Sequence, residues 1–169
     1  MIDISVYKLY SGVFKLNDKI YLAIFGGLII ARGCLRVFDA SNEIKADFDI
    51  CISMLGLLLF TQKFLMKFTN LWFSICWFLL TIVFGLIGGE TLSFYNLFLF
   101  FLYHIIRFLF ITVYKKEFVP PVTYRSSYEI VSDEWAGRST EDEDIKYKRI
   151  LLIAAIVVLW LSAKYSSGY

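Results

Sequence analysis

Asn96, Tyr103, His104 and Arg107 stand among phenylalanines and leucines in the most apolar part of this chain, between Leu92 and Tyr114. On a helix that advances about 100° per residue, Asn96, Tyr103, Arg107 and Tyr114 fall within about 40° of one another. Ser93 and His104 lie just to one side. The rest of that surface is apolar: Leu97, Phe98, Leu99, Phe101, Leu102, Ile105, Ile106, Leu109 and Phe110. A polar stripe on a helix of lipid-crossing length should face protein or water, because hydrocarbon cannot satisfy its donors and acceptors. Asn96, Tyr103, His104 and Arg107 are therefore the candidate stripe, turned toward another subunit or toward a pore.

The chemistry open to these residues is narrow. His104 is the single histidine, so one chain cannot build a bis-histidine haem or a multi-histidine metal site. A symmetric oligomer could still assemble a ring of His104. Read plainly, His104 is neutral and hydrogen-bonded to a neighbouring helix, a contact of roughly 0.6–2 kcal/mol in membranes; read functionally, it relays protons or gates. Arg107 requires more explanation, since a charge at the centre of a membrane helix costs about 2.5–3.5 kcal/mol on the lenient insertion scale. It could snorkel past Tyr114, on the order of 10 Å along the axis, pair with a carboxylate of another subunit, or line an aqueous pore with anion preference. Asp49 and Glu90 fall at span ends on the far side, so the expected counter-ion lies outside this chain: another subunit, a lipid phosphate or water.

Catalytic signatures are missing. There is no glycine-rich phosphate loop, no paired histidine and carboxylate motif, no CxxC and no nucleophile elbow. Cys34, Cys51 and Cys76 are irregularly spaced in or beside apolar segments and are expected to pack as small apolar residues. No cofactor, no metal and no enzymatic activity are expected.

These residues are carried by a chain of 169 residues, 59% hydrophobic and 19% aromatic, well above the apolar share of about 45–50% in soluble domains. The expected fold is all-α: a polytopic membrane helical bundle of about five transmembrane helices, four being possible, with an N-terminal interfacial helix. The net charge of +2 gives no case for nucleic acid.

Residues 1–16 alternate apolar and polar positions at helical spacing and suggest an amphipathic helix lying in the interface, or a segment packed on a partner. Asn17 is a possible cap. The four-helix membrane region covers 17–114. Its first span, from Ile20 to about Phe38, repeats Ala23, Gly27 and Ala31 every fourth residue, the spacing that lets membrane helices approach closely. Arg32 and Arg36, a turn apart, either snorkel to headgroups or hold a lipid headgroup or anion. The acidic stretch Asp39–Asp49 could neutralise them. A second span begins near Ile50 and ends around Phe64 to Phe68. Asn70 starts a third, Leu71–Ile87, whose Gly85 and Gly89 form another close-approach pair, Gly89 also ending the helix. The short turn that follows requires the third and fourth spans to be antiparallel neighbours.

Residues 115–149 form the aqueous loop, with seven basic and eight acidic residues. It is too short of apolar residues to fold alone, while Tyr124, Tyr128, Ile130, Val131 and Trp135 suggest docking. Residues 150–169 hold the last span, Ile150–Tyr165, marginal against the roughly 20 residues of a full crossing. The first residues lack the features of a signal peptide, so the first span is expected to be retained. Lysines and arginines cluster before the first span, after the second and fourth and before the fifth, all on one side for five crossings. That side is expected to be cytoplasmic or matrix-like and to carry the N-terminus and the 115–149 loop, in a bacterial inner membrane or an organelle membrane. Arg32 and Arg36 dissent, and a first segment that fails to cross would move the N-terminus to the other side.

The functional expectation is a non-catalytic structural or accessory subunit of a larger membrane complex, with membrane lipids and other subunits or copies of itself as partners. The alternative is a small homo-oligomeric channel lined by the fourth span. A transporter or sensor is disfavoured because no internal repeat is present.

Overall fold

A computed structural model describes Leu9 and residues 16–61, 63–119 and 140–166. Among these residues the fold is helical and has no strand. Five α-helices follow one another: α1 (Leu16–Val37), α2 (Asn42–Thr61), α3 (Leu71–Gly88), α4 (Tyr95–Tyr114) and α5 (Asp142–Ser166). Two short 3-10 segments, Lys63–Thr69 and Thr91–Phe94, lead into α3 and α4.

Four stretches are long and apolar enough to cross a membrane: α1, α3, α4 with its preceding 3-10 turn, and α5. Helix α2 has the length but not the composition, because Glu43, Lys45, Asp47 and Asp49 occupy its first turns. Its apolar part, Ile50–Thr61, spans only about 18 Å at 1.5 Å per residue. The expected second span is therefore shortened, and its last residues leave the α-helix. Leu65 and Phe68 of the 3-10 segment are fully buried, and the Phe68 ring lies within 5.3–5.8 Å of Phe73, Trp77, Phe100 and Tyr103. This aromatic plug joins α3 to α4 beneath the end of α2.

Helix starts follow local chemistry. Asn70 caps α3 by accepting the Trp72 and Phe73 N–H groups at 3.0 and 3.2 Å. Asn17 does not cap α1, which already begins at Leu16. Helix α5 starts eight residues before the expected span, at Asp142, so its 25 residues remove the length deficit. Acidic Asp142, Glu143 and Asp144 in its first turn suit the positive end of the helix dipole. The Asp144 carboxylate also reaches back to accept the Glu141 N–H at 3.0 Å.

The packing order differs from the chain order. Helices α1 and α3 run parallel and in contact: Gly26 faces Leu80, and one turn pair later Gly33 faces Ile87. Phe25 stacks on Trp77 at 4.3 Å. Helices α2 and α4 also run parallel, with Ile52 and Gly56 against Asn96. Helix α5 lies antiparallel to α4, with the Tyr95 hydroxyl donating to the Ala155 carbonyl at 3.1 Å and Tyr147 against Phe110. Each helix thus reverses the direction of the one before it. Cys34 and Cys51 face outward and do not fill the core as expected, while Cys76 is half-buried.

The proposed interfacial helix 1–16 lies outside the described residues except for Leu9 and Leu16, as do the loop residues Tyr124, Tyr128, Ile130, Val131 and Trp135.

Candidate functional site

The polar face of α4 is turned into the chain's own bundle. Asn96, Tyr103 and Arg107 are all fully buried, and His104 is half-buried. Neither a neighbouring subunit nor a shared lumen meets the first three, because α2, α5 and the 3-10 segment before α3 already cover them. Asn96 donates from Nδ2 to the Ile52 carbonyl of α2 at 3.0 Å. Its Oδ1 rests against Gly56 and has no hydrogen-bond partner among the described residues. Any side chain at position 56 would collide with that amide, so α2 and α4 can approach this closely only at a glycine. This contact was not foreseen from the sequence, where Gly56 stood alone with no small residue four positions away.

Tyr103 packs its ring against Phe68 at 5.3 Å and edge-on to His104 at 5.2 Å. His104 is also edge-on to Phe100, at 4.4 Å. These are ring contacts, and they place His104 beside the aromatic plug with no second histidine, as one chain requires. Among the described residues no three His, Cys, Asp or Glu side chains group as metal ligands.

Arg107 overturns the expectation that its counter-ion must come from outside. Its Nε and Nη2 donate to the two carboxylate oxygens of Glu117 at 2.7 and 2.8 Å, a bidentate pair. Lys115 ends α4 in the left-handed conformation, with φ of 56°, and the chain doubles back so that Glu117, ten residues after Arg107, returns beside it. Snorkelling is not needed. Phe118 and Val119 are buried behind Glu117, and the Val119 N–H donates to Asp144 of α5 at 2.9 Å.

Arg32 is corrected in the same way. Arg32 is 3% exposed and cannot meet a headgroup; its Nε and Nη2 hold the Asp49 carboxylate at 2.8 and 3.1 Å. Ser93 adds a weak donation to the same carboxylate at 3.4 Å. The acidic stretch after α1 neutralises this arginine through Asp49, the residue that has moved inside α2. Arg36 instead donates to the Leu86 and Ile87 carbonyls at 3.2 and 2.8 Å, which closes the C-terminal end of α3. At the opposite end of the bundle Lys67 pairs with Asp18 at 2.6 Å.

The small residues separate into two groups. Gly85 is filled by the Phe94 ring, and Gly88 by Ser93, where the chain turns from α3 to α4. Gly89 has a φ of 76° and ends α3, and nothing packs on it. In α1, Ala23 and Gly27 point out of the bundle, with Ala31 half-buried. A side-chain carbon added at Gly27 would meet no atom of the described residues within 4 Å.

No protein-family model, no curated protein and no solved structure matches this chain. Its interior chemistry consists of ion pairs and amide contacts that join α-helices.

Proposed function

We propose that the chain is a non-catalytic integral membrane protein that serves as a structural or accessory subunit of a larger membrane complex. The observation that carries this reading is the open, smooth face of α1. Gly56, Gly85 and Gly88 are each occupied from within the chain, whereas Gly27, beside exposed Ala23, is left bare on a helix long enough to cross the membrane. Small residues at four-residue spacing allow two membrane backbones to approach closely, and among the described residues nothing lies within 4 Å of a side-chain carbon added at Gly27. The channel alternative loses its lining, since Asn96, Tyr103 and Arg107 are buried inside one chain.

The same reading sets an orientation. Lys19, Lys67, Lys115, Lys116, Lys146 and Arg149 lie where α1, α3 and α5 begin and α4 ends, while Asp39, Glu43, Asp47 and Glu90 lie at the other end. Arg32 and Arg36, at the acidic end, are consumed by Asp49 and by the end of α3. The positive-inside rule then puts the basic end in the cytoplasm or matrix.

Purification in mild detergent, with mass measurement, tests the assignment. The intact chain is expected to co-purify with other subunits or copies, and Gly27→Leu to lose them while its unfolding temperature is unchanged. Retention of the same assembly by Gly27→Leu, or a wild-type chain that is monomeric and alone, would sink the proposal. For orientation, Ser41→Cys and Lys115→Cys should react with a membrane-impermeant maleimide from opposite faces.

A further inference from the structure

The exposed apolar bands differ in length from one side of the bundle to the other. On α1 exposed apolar side chains run from Ile20 to Val37, and on α3 from Trp72 to Leu86, about 26 and 21 Å at 1.5 Å per residue. The exposed Arg36 within the α1 band has its guanidinium on carbonyls of α3. On α2 the band runs only from Ile50 to Leu58 and on α5 from Ile150 to Leu161, about 12 and 17 Å. Both short bands are bounded by charge. Glu43 and Asp47 are exposed on α2 to either side of Ile44, and Arg149 is exposed just before Ile150. At the far end of α5 the Lys164 ammonium turns back over the Trp160 ring, 5.3 Å from its centre, and so points toward the middle of the helix. Helix α1 packs on α3, and α2 touches α5.

The hydrocarbon core of a bilayer is about 30 Å thick. The α1 band comes close to that, while those of α2 and α5 reach about half of it. Tilting cannot make up the difference, because it only shortens a helix's projection on the membrane normal. The carboxylates of α2 are too short to snorkel far, and Lys164 turns the wrong way. What remains for a face that meets lipid is a thinner bilayer. We propose, on the membrane-spanning part of the function above and not on the complex, that the bilayer is locally thinned beside α2 and α5. Headgroups and water come down to Asp47 and Lys164 at the acidic end, while hydrocarbon still covers α1 and α3 at the same height. The partner of this face is lipid, and the path through hydrocarbon is short there. Two exposed positions report on it. Arg32 pairs with Asp49 and Gly33 faces Ile87, which sets Leu86, Arg32 and Asp49 at one height. Cys51, exposed like Leu86, therefore lies about 3 Å deeper than Leu86.

Thiol labelling of the full chain in dioleoylphosphatidylcholine vesicles tests this. One variant keeps Cys51 as its only cysteine, and the other carries Leu86→Cys with all three native cysteines replaced. N-ethylmaleimide should label Cys51 faster by about tenfold or more, because the reacting thiolate forms in water and not in hydrocarbon. A flat boundary would favour the shallower Leu86→Cys instead. Glu43→Leu with Asp47→Leu extends the apolar band of α2 by about two turns and should bring the Cys51 rate down toward that of Leu86→Cys. In dimyristoleoylphosphatidylcholine, whose core is thinner throughout, the Leu86→Cys rate should rise toward that of Cys51. Cys51 labelled no faster than Leu86→Cys, in a chain that alkaline carbonate leaves in the vesicles, would overturn the thinning alone. Release of the chain by carbonate would overturn its membrane placement as well. Slow labelling of Cys51 with disulfides between copies on oxidation would put a second copy on this face instead of lipid.

Discussion

Arg32 and Asp49 show how charge is handled inside this molecule. At 3% and 1% exposure neither can hydrate, so each is tolerable only because the other is present. Removing one partner leaves a bare charge among apolar side chains, whereas removing both leaves only a packing defect. Arg32→Leu and Asp49→Leu should each lower stability by about 3–5 kcal/mol. The double variant should cost clearly less than the sum, as read by thermal unfolding in detergent. An additive double variant would mean the pair is not an energetic unit. Arg107 and Glu117 follow the same logic, but with one partner near water. At this scale the sequence was partly legible. Arg107 was recognisable as a charge in need of compensation, and the acidic stretch was recognisable as a neutraliser of Arg32. Glu117 was not, because its approach depends on a reversal at Lys115, a residue type with no special preference for the left-handed conformation.

Elements are held together at glycines whose neighbours differ. At Gly56 an added methyl group runs into the Asn96 amide, and at Gly85 into the Phe94 ring. Gly56→Ala and Gly85→Ala should each destabilise by about 1–3 kcal/mol through overpacking. Gly27→Ala should fall within about 0.5 kcal/mol of wild type or stabilise slightly, since its helix is unobstructed. Equal losses at Gly27 and Gly56 in the isolated chain would contradict the packing described. Asn70→Ala removes both capping bonds of α3 and should cost about 1 kcal/mol. The start of α3 at Asn70 and its end at Gly89 were readable locally because they depend on a few adjacent residues, while the capping bonds of Asn70 came only with the structure. The early start of α5 was obscured because Asp142, Glu143 and Asp144 look like an aqueous run, yet they are the favoured charges for a first helical turn.

Across the whole molecule, the arrangement of helices is what turns an apolar chain into a specific bundle. Parallel contact of α1 with α3 requires α2 to return between them in sequence but not in space. With the three native cysteines replaced, a cysteine at Gly33 should crosslink to one at Ile87 through a short bifunctional reagent, and not to one at Trp72 at the other end of α3. Crosslinking to Trp72→Cys would mean that α1 and α3 are antiparallel.

The amino-acid order alone determined what depends on composition and on short-range chemistry. It marked an all-helical chain with stretches apolar enough to cross a membrane, the start of α3 at Asn70, the turn at Gly89, and α4 as the helix with a polar face. These follow from hydropathy and from hydrogen bonds between near neighbours. Only the tertiary structure decided where that face points and what meets it. Whether Arg107 faces a lumen, a partner or Glu117 depends on a chain reversal and on the docking of α5. Whether a glycine is a contact or an open surface depends on which helix lies across from it. Both are long-range matters, in which residues such as Gly56 and Asn96, forty positions apart, are brought into contact by the packing of α2 against α4.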